Sequence, residues 1–173
     1  RTNNDDFRCF VMDAPPELEA GGFLSALDVV PADRRIVHHA TVWADVGGVF
    51  SANAGPDGSF ECLNTQPFAA ADERPIELRW LLQWAPGARP RTRPAGGGSE
   101  SPAHSKIVMQ THFSVGNRVI EPEATRLQIQ MLSERPNYYV FAFGLGNWGK
   151  TLENGAALLS QPDDDGAPIF HIP

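Results

Sequence analysis

The sequence is poor in positive charge, in cysteine and in long hydrophobic runs. It carries 14 lysine and arginine residues against 21 aspartate and glutamate residues, and the basic residues form no cluster. Because phosphate binding needs concentrated positive charge, nucleic acid is not an expected partner. No stretch approaches the roughly 18 consecutive apolar residues of a membrane span, so no membrane partner is expected either. Two cysteines allow at most one disulfide within the chain.

The composition is that of a globular protein rich in turn-forming residues. Apolar residues make up 42% and charged residues 20% of the 173 positions, which excludes a wholly disordered chain. The 16 glycines and 15 prolines interrupt the sequence frequently, which disfavours long helices and favours an all-β fold. We predict one domain over residues 1–173. Because the chain begins at Arg1 without a signal peptide, we expect it to be a processed or excised piece.

Short segments with strand character recur between the turn residues. Residues 76–84 fit either a helix or a strand, and their two tryptophans favour the strand. About eight strands without an internal repeat predict an antiparallel β-sandwich of jelly-roll type. Residues 89–105 are rich in proline, glycine, serine and arginine, and we predict a flexible surface loop there. The predicted strands cover residues 8–13, 22–30, 35–43, 76–84, 106–113, 126–132 and 138–143, with a further apolar run at 169–172.

The two cysteines, Cys9 and Cys62, allow two interpretations. A disulfide between them would close a loop of about 53 residues and would stabilise the fold by ~4 kcal/mol on a loop-entropy argument. Two buried free thiols are the alternative, and the cysteine count alone does not decide between them.

Histidines interrupt two of the apolar strands. His38 and His39 are adjacent in one, and His112 lies near the end of another. Neighbours in a regular strand point to opposite faces, so a metal shared by the adjacent pair requires a bulge or a strand end there. The alternative is one buried, hydrogen-bonded histidine beside one exposed histidine. Three imidazoles from two strands would form an all-nitrogen site suited to zinc, copper, iron or nickel rather than calcium or magnesium.

Four segments together resemble one protein family. They are DDFRCFVMD at 5–13, PADRRIVHHATVW at 31–43, WAPGARP at 84–90 and KIVMQTHF at 106–113. In this order and approximate spacing they are similar to the N-terminal domain of the copper type II, ascorbate-dependent monooxygenases. This family includes peptidylglycine α-hydroxylating and dopamine β-monooxygenases, and the chain looks most like its bacterial members. The resemblance covers about residues 5–172.

The resemblance implies a copper domain that takes electrons from ascorbate. It matches His38, His39 and His112 to the three ligands of the family's electron-supplying copper. It matches Gln110 to a glutamine that we interpret as orienting one of the ligands without contacting the copper itself. His171 and the loop residue His104 match no ligand, and we interpret them as structural and solvated respectively.

The same resemblance bears on the cysteines and on location. It pairs Cys9 with Cys62 in one of the family's disulfides. It implies a secreted or periplasmic protein, since disulfides persist in oxidising compartments. Arg89, Arg91 and Arg93 could attract an anionic reductant, although arginines in such a loop are usually solvated.

The family's second copper, where dioxygen binds and the substrate C–H bond is hydroxylated, has no counterpart here. That copper needs a His-x-His pair and a methionine on a second domain, and no His-x-His occurs in this sequence. Met12, Met109 and Met131 are interpreted as core residues. We therefore expect half of an enzyme, whose partners are a C-terminal catalytic domain of the same polypeptide and a small-molecule reductant.

Two further interpretations stay open. The chain could be a non-catalytic copper-binding module, which would bind copper without ascorbate-driven turnover in the full-length protein. It could also be a structural or carbohydrate-binding jelly roll whose histidines are structural, which would hold no stoichiometric metal.

Overall fold

The computed structural model describes residues 5–62, 77–116 and 124–142. These ranges form ten β-strands and two single-turn 3-10 helices, at Pro16–Leu18 and Ser51–Asn53. Neither of these two helices is long or apolar enough to cross a membrane. His171 and the apolar run at 169–172 lie outside the described residues. The strands are β1 Asp5–Asp13, β2 Gly22–Val30, β3 Val37–Val46, β4 Ser59–Glu61, β5 Glu77–Trp84, β6 Arg91–Thr92, β7 Gly97–Ser101, β8 Lys106–Ser114, β9 Arg126–Met131 and β10 Tyr138–Tyr139.

The strands form two sheets that pack together. The first sheet has the order β4-β1-β8-β3-β5, and its pairings are antiparallel. The second has the order β10-β7-β2-β6, with β9 also paired to β2. Its β10–β7 pairing is parallel, and its other pairings are antiparallel. The all-β sandwich predicted from the sequence is therefore confirmed.

The main apolar core lies between the sheets. Ile107 and Met109 of β8 point into it, so the residues between and beside them face outward. Met12 and Met131 pack against this core, and the interpretation of the three methionines as core residues is confirmed. The other buried members are Leu18, Leu24, Leu27, Val29, Ile36, Val37, Ala40, Val42, Ala44, Leu81, Leu82 and Trp84.

The outward face of the first sheet carries a second, smaller apolar cluster. Val108 lies between two core residues of β8 and therefore faces outward, where it packs with Trp43 and Phe50. The Cys9–Cys62 disulfide belongs to this cluster, with Cα atoms 5.7 Å apart and both cysteines buried. The disulfide expected from the resemblance is thus confirmed.

A buried aspartate anchors the loop that covers this second cluster. Asp45 is fully buried, and its carboxylate accepts hydrogen bonds from the Ser51 backbone N–H at 2.7 Å and the Ser51 hydroxyl at 2.6 Å. The Phe50 backbone N–H donates to the same carboxylate at 3.4 Å. Hydrogen bonds to an ionised acceptor are stronger than neutral ones. They fix the loop after β3 against the sheet and keep Phe50 over the disulfide cluster.

The prediction of a flexible loop over residues 89–105 is wrong where two strands lie within it, β6 at Arg91–Thr92 and β7 at Gly97–Ser101. Gly97–Ser101 form β7, which lies between β10 and β2 and has four of its five residues buried. The glycines here serve close packing, because a Cβ on Gly97 would lie 2.8 Å from the Tyr138 ring. A Cβ on Gly98 would meet a neighbouring side chain at the same distance. Small size at these positions, rather than backbone freedom, is what the fold uses.

Candidate metal centre

Three histidine side chains meet on the outward face of the first sheet. One ring nitrogen from each of His38, His39 and His112 lies within 4.8 Å of the other two. The Nδ1 atoms of His38 and His39 are 3.1 Å apart, and His39 Nδ1 lies 3.4 Å from His112 Nδ1. Within the described ranges, this is the one group of three or more histidine, cysteine, aspartate or glutamate side chains that could hold a metal ion. The structure thus brings together the three candidate ligands predicted from the sequence.

A β-bulge explains how two adjacent histidines face the same side. Val37 pairs with Phe113 and His39 pairs with His112, so His38 is an extra residue without a partner in the β8 ladder. In a regular strand His38 and His39 would point to opposite faces. The bulge that a shared site requires is therefore present, at the position that the sequence indicates.

His112 lies on a central strand and is positioned from both sides. It pairs with His39 of β3 on one side and with Phe7 of β1 on the other. The Phe7 ring stacks on the His112 ring, with centroids 4.0 Å apart and planes 9° apart. The Nε2 atom of His112, on the other side of the ring from the cluster contact, lies 3.1 Å from Asp5 Oδ1. Side chains placed on paired strands in this way form a rigid, pre-organised site.

The donor set fits a metal ion that prefers nitrogen ligands. With metal–nitrogen bonds of about 2.0–2.1 Å, two ligands of one tetrahedral ion lie ~3.3–3.4 Å apart. The two Nδ1 spacings of 3.1 and 3.4 Å are close to this value. His38 is exposed, whereas His39 and His112 are half-buried, so the cluster is open to solvent on one side. Imidazole donors of this kind suit copper, zinc, iron or nickel.

The electrostatics of the cluster favour the neutral, ligating form of its central histidine. Burial lowers the pKa of His39 from its ordinary value, and repulsion from His112 and His38 lowers this pKa further. The pKa of Asp5 is lowered as well, first by its hydrogen bond with His112 and then by one with Ser114. A histidine binds a metal ion only when its imidazole is neutral, so the lowered pKa of His39 favours metal binding at this position.

Two other residues singled out in the sequence, Gln110 and His104, lie outside the histidine cluster. Gln110 shares the outward face of β8 with His112, but its amide Nε2 donates to Cys62 Sγ at 3.4 Å. The ligand-orienting role of Gln110 therefore stays a prediction. His104 is exposed and adopts a left-handed backbone conformation, with φ 55°. Exposure agrees with its interpretation as a solvated residue.

The arginines of the 89–93 segment do not form one exposed basic surface. Arg89 and Arg91 are exposed. Arg93 is half-buried, and its Nη2 donates to the Leu81 carbonyl oxygen at 2.7 Å. The interpretation as solvated residues therefore holds for two of the three.

Asp5 and Phe7 are parts of the site that the sequence did not reveal. They alternate with Cys9 on β1, so the three side chains share the outward face of the sheet. That alternation is visible in the sequence. The contact between Asp5 and His112, however, joins residues 107 positions apart, and it depends on the pairing of β1 with β8. No signal in the sequence identifies β1 as the neighbour of β8.

No protein-family model matches the chain. A search of the curated proteins likewise found no match. The histidine geometry and the four resembling segments are therefore the features of this chain that bear on its function.

Proposed function

We propose that this chain is the electron-supplying copper domain of an ascorbate-dependent copper monooxygenase, an enzyme that hydroxylates a C–H bond with dioxygen. The observation that carries the proposal is the convergence of the His38, His39 and His112 ring nitrogens at the bulge of β3. The order and spacing of the four resembling segments support it. The Cys9–Cys62 disulfide is compatible with the secreted or periplasmic location that we propose for it.

The donor chemistry supports copper as the ion. The cluster offers three imidazole nitrogens, and because both cysteines are joined in a disulfide, no thiolate competes for the metal. When bound to imidazoles, copper passes one electron at a time between its Cu(II) and Cu(I) states. Zinc fits the same nitrogens but has no redox chemistry. A redox response therefore distinguishes the proposed function from structural metal binding.

The residues of this chain have separate tasks in the proposed function. The paired strands β3 and β8 hold the three imidazoles in place. Burial lowers the pKa of half-buried His39, which favours the neutral form that can act as a ligand. Exposed His38 leaves one side of the cluster open to a small reductant such as ascorbate. The recipient of the electron in this proposal is a C-terminal catalytic domain of the same polypeptide.

A non-catalytic copper-binding module is the second candidate. It is favoured by one observation, that the part of the chain described by the structure contains a single candidate metal cluster, whereas the proposed reaction needs two coppers. Both functions predict stoichiometric copper binding. They differ in the full-length protein, where only the enzyme couples ascorbate oxidation to hydroxylation.

The purified chain is expected to bind copper and to exchange an electron with ascorbate. Titration of metal-free protein with Cu(II) should saturate at about one ion per chain, with nitrogen ligation visible in the EPR spectrum. Anaerobic ascorbate should then remove the Cu(II) signal, and oxygen should restore it. The zinc-loaded protein is the redox-silent control. A Cu(II) signal that persists in excess ascorbate would contradict the electron-supplying role, and failure to bind copper would contradict the site itself.

Acid is expected to release the bound metal. Protonated imidazole cannot act as a ligand, so metal affinity falls as the pH drops through the histidine pKa values. Because the pKa of His39 is lowered, this ligand should be lost at a lower pH than an exposed histidine would be. Copper retained after desalting across a pH series measures the effect. Full retention at a pH of about 4 would rule out a site made only of histidines.

A further inference from the structure

The carboxylate of Asp5 contacts the third histidine of the cluster from outside it. Asp5 Oδ1 lies 3.1 Å from His112 Nε2, whereas His112 Nδ1 lies 3.4 Å from His39 Nδ1. The Asp5 side chain is 53% exposed and the His112 side chain is 12% exposed. The contact therefore joins an exposed carboxylate to a mostly buried imidazole.

This contact determines which nitrogen of His112 carries the proton. An ionised carboxylate accepts hydrogen bonds and donates none, so the Nε2 atom of His112 must carry the hydrogen. In a neutral imidazole the other nitrogen, Nδ1, then holds the free lone pair. That nitrogen is the one beside His39 Nδ1. The tautomer selected by Asp5 thus directs a lone pair into the cluster.

Phe7 restricts the same ring in a second way. Its ring stacks on His112 with centroids 4.0 Å apart and planes 9° apart, which fixes the plane of the imidazole. The hydrogen bond from Nε2 to Asp5 fixes the orientation of the imidazole within that plane. Asp5 and Phe7 are two residues apart on β1, so one short segment of strand supplies both restraints.

We propose that Asp5 is a positioning residue of the copper site, which holds His112 in the tautomer that ligates through Nδ1 and places a negative charge near the metal. The identity of the metal in this inference rests on the proposed function, whereas the tautomer is a property of the metal-free chain. Loss of a carboxylate that orients a ligating histidine typically costs about 10–100-fold in metal affinity. An effect of that size is expected here.

Two substitutions separate the hydrogen bond from the charge. Asp5→Ala removes both and should weaken Cu(II) binding by about 10–100-fold in a competition titration. Asp5→Asn keeps a carbonyl acceptor and should retain most of the affinity. It should nevertheless raise the Cu(II)/Cu(I) reduction potential, because the carboxylate charge stabilises Cu(II) over Cu(I) and asparagine lacks that charge. The control is Asp6→Ala, since Asp6 points to the other face and pairs with Arg8 at 3.3 Å.

Nitrogen-15 NMR of metal-free protein tests the tautomer without copper, at a pH well above the ordinary histidine pKa of about 6.5. His112, assigned by comparison with His112→Ala, should carry its proton on Nε2 in wild-type protein and lose that preference in Asp5→Ala. A wild-type protein that binds no copper would contradict the proposed function, and the tautomer would then decide the role of Asp5. A proton on His112 Nδ1 in wild-type protein would overturn the inference. The inference would also be overturned if the Asp5→Ala protein had the same copper affinity and reduction potential as the Asp6→Ala control.

Discussion

Replacing His112 with alanine is expected to abolish stoichiometric copper binding while the sandwich stays folded. The change removes one of three donors, and we expect an affinity loss greater than about 100-fold, since even an orienting partner outside the ligand set is worth about 10–100-fold. The ring lies on the outward face of the sheet, apart from the main core, so the free energy of unfolding should change by about 1 kcal/mol or less. Copper content after gel filtration and thermal unfolding measure the two effects.

The histidines of the chain provide the controls for this prediction. His39→Ala should lose copper as fully as His112→Ala, because its Nδ1 lies within 3.4 Å of both other Nδ1 atoms. His104→Ala should keep the wild-type copper content, because His104 is exposed and lies outside the cluster. Wild-type copper stoichiometry in folded His112→Ala protein would remove the site assignment.

Loss of the disulfide is expected to destabilise the domain strongly. The Cys9–Cys62 bond links residues 53 positions apart, and the loop-entropy argument gives a contribution of about 4 kcal/mol to the free energy of unfolding. The double variant Cys9→Ala, Cys62→Ala should lose this contribution, with a decrease in Tm on the order of 10 °C. Urea and thermal denaturation of the metal-free protein measure the loss.

The single variant Cys62→Ala separates the covalent bond from the packing of the two side chains. It breaks the bond but leaves Cys9 in the second apolar cluster, so it should lose nearly as much stability as the double variant. Wild-type protein treated with reductant should unfold at about the same urea concentration as either variant. Unchanged denaturation midpoints in all three samples would show that the bond does not stabilise the fold.

The strands are predictable where turn residues bound an apolar run. The prediction of a strand over 22–30 coincides with the observed β2, Gly22–Val30. Prediction from the sequence fails at β7, because Gly97 and Gly98 resemble a flexible linker in the sequence but serve close packing in the fold. Glycine provides both backbone freedom and small size, and a sequence does not show which of the two is used.

The candidate site is predictable only in part, for a similar reason. His38, His39 and His112 stand out because imidazoles interrupt apolar strands, and this local signal is present in the sequence. Asp5 and Phe7 have no such signal, because their contact with His112 depends on the pairing of β1 with β8 across most of the chain. The local pattern thus indicated the nitrogen donors, whereas the side chains that orient them became visible only from the strand order.

The extra residue in β3 adds an imidazole to the cluster and leaves the core alternation on either side of it intact. Val37 and Ala40 belong to the main core, and the two residues between them, His38 and His39, face outward. Deleting His38 would restore ordinary alternation, with Val37 inward, His39 outward and Ala40 inward, and the rest of the ladder would keep its register. A surface with two imidazoles and a cage with three thus differ by the insertion of a single codon. The bulge thus adds the third donor without repacking the interior of the sandwich.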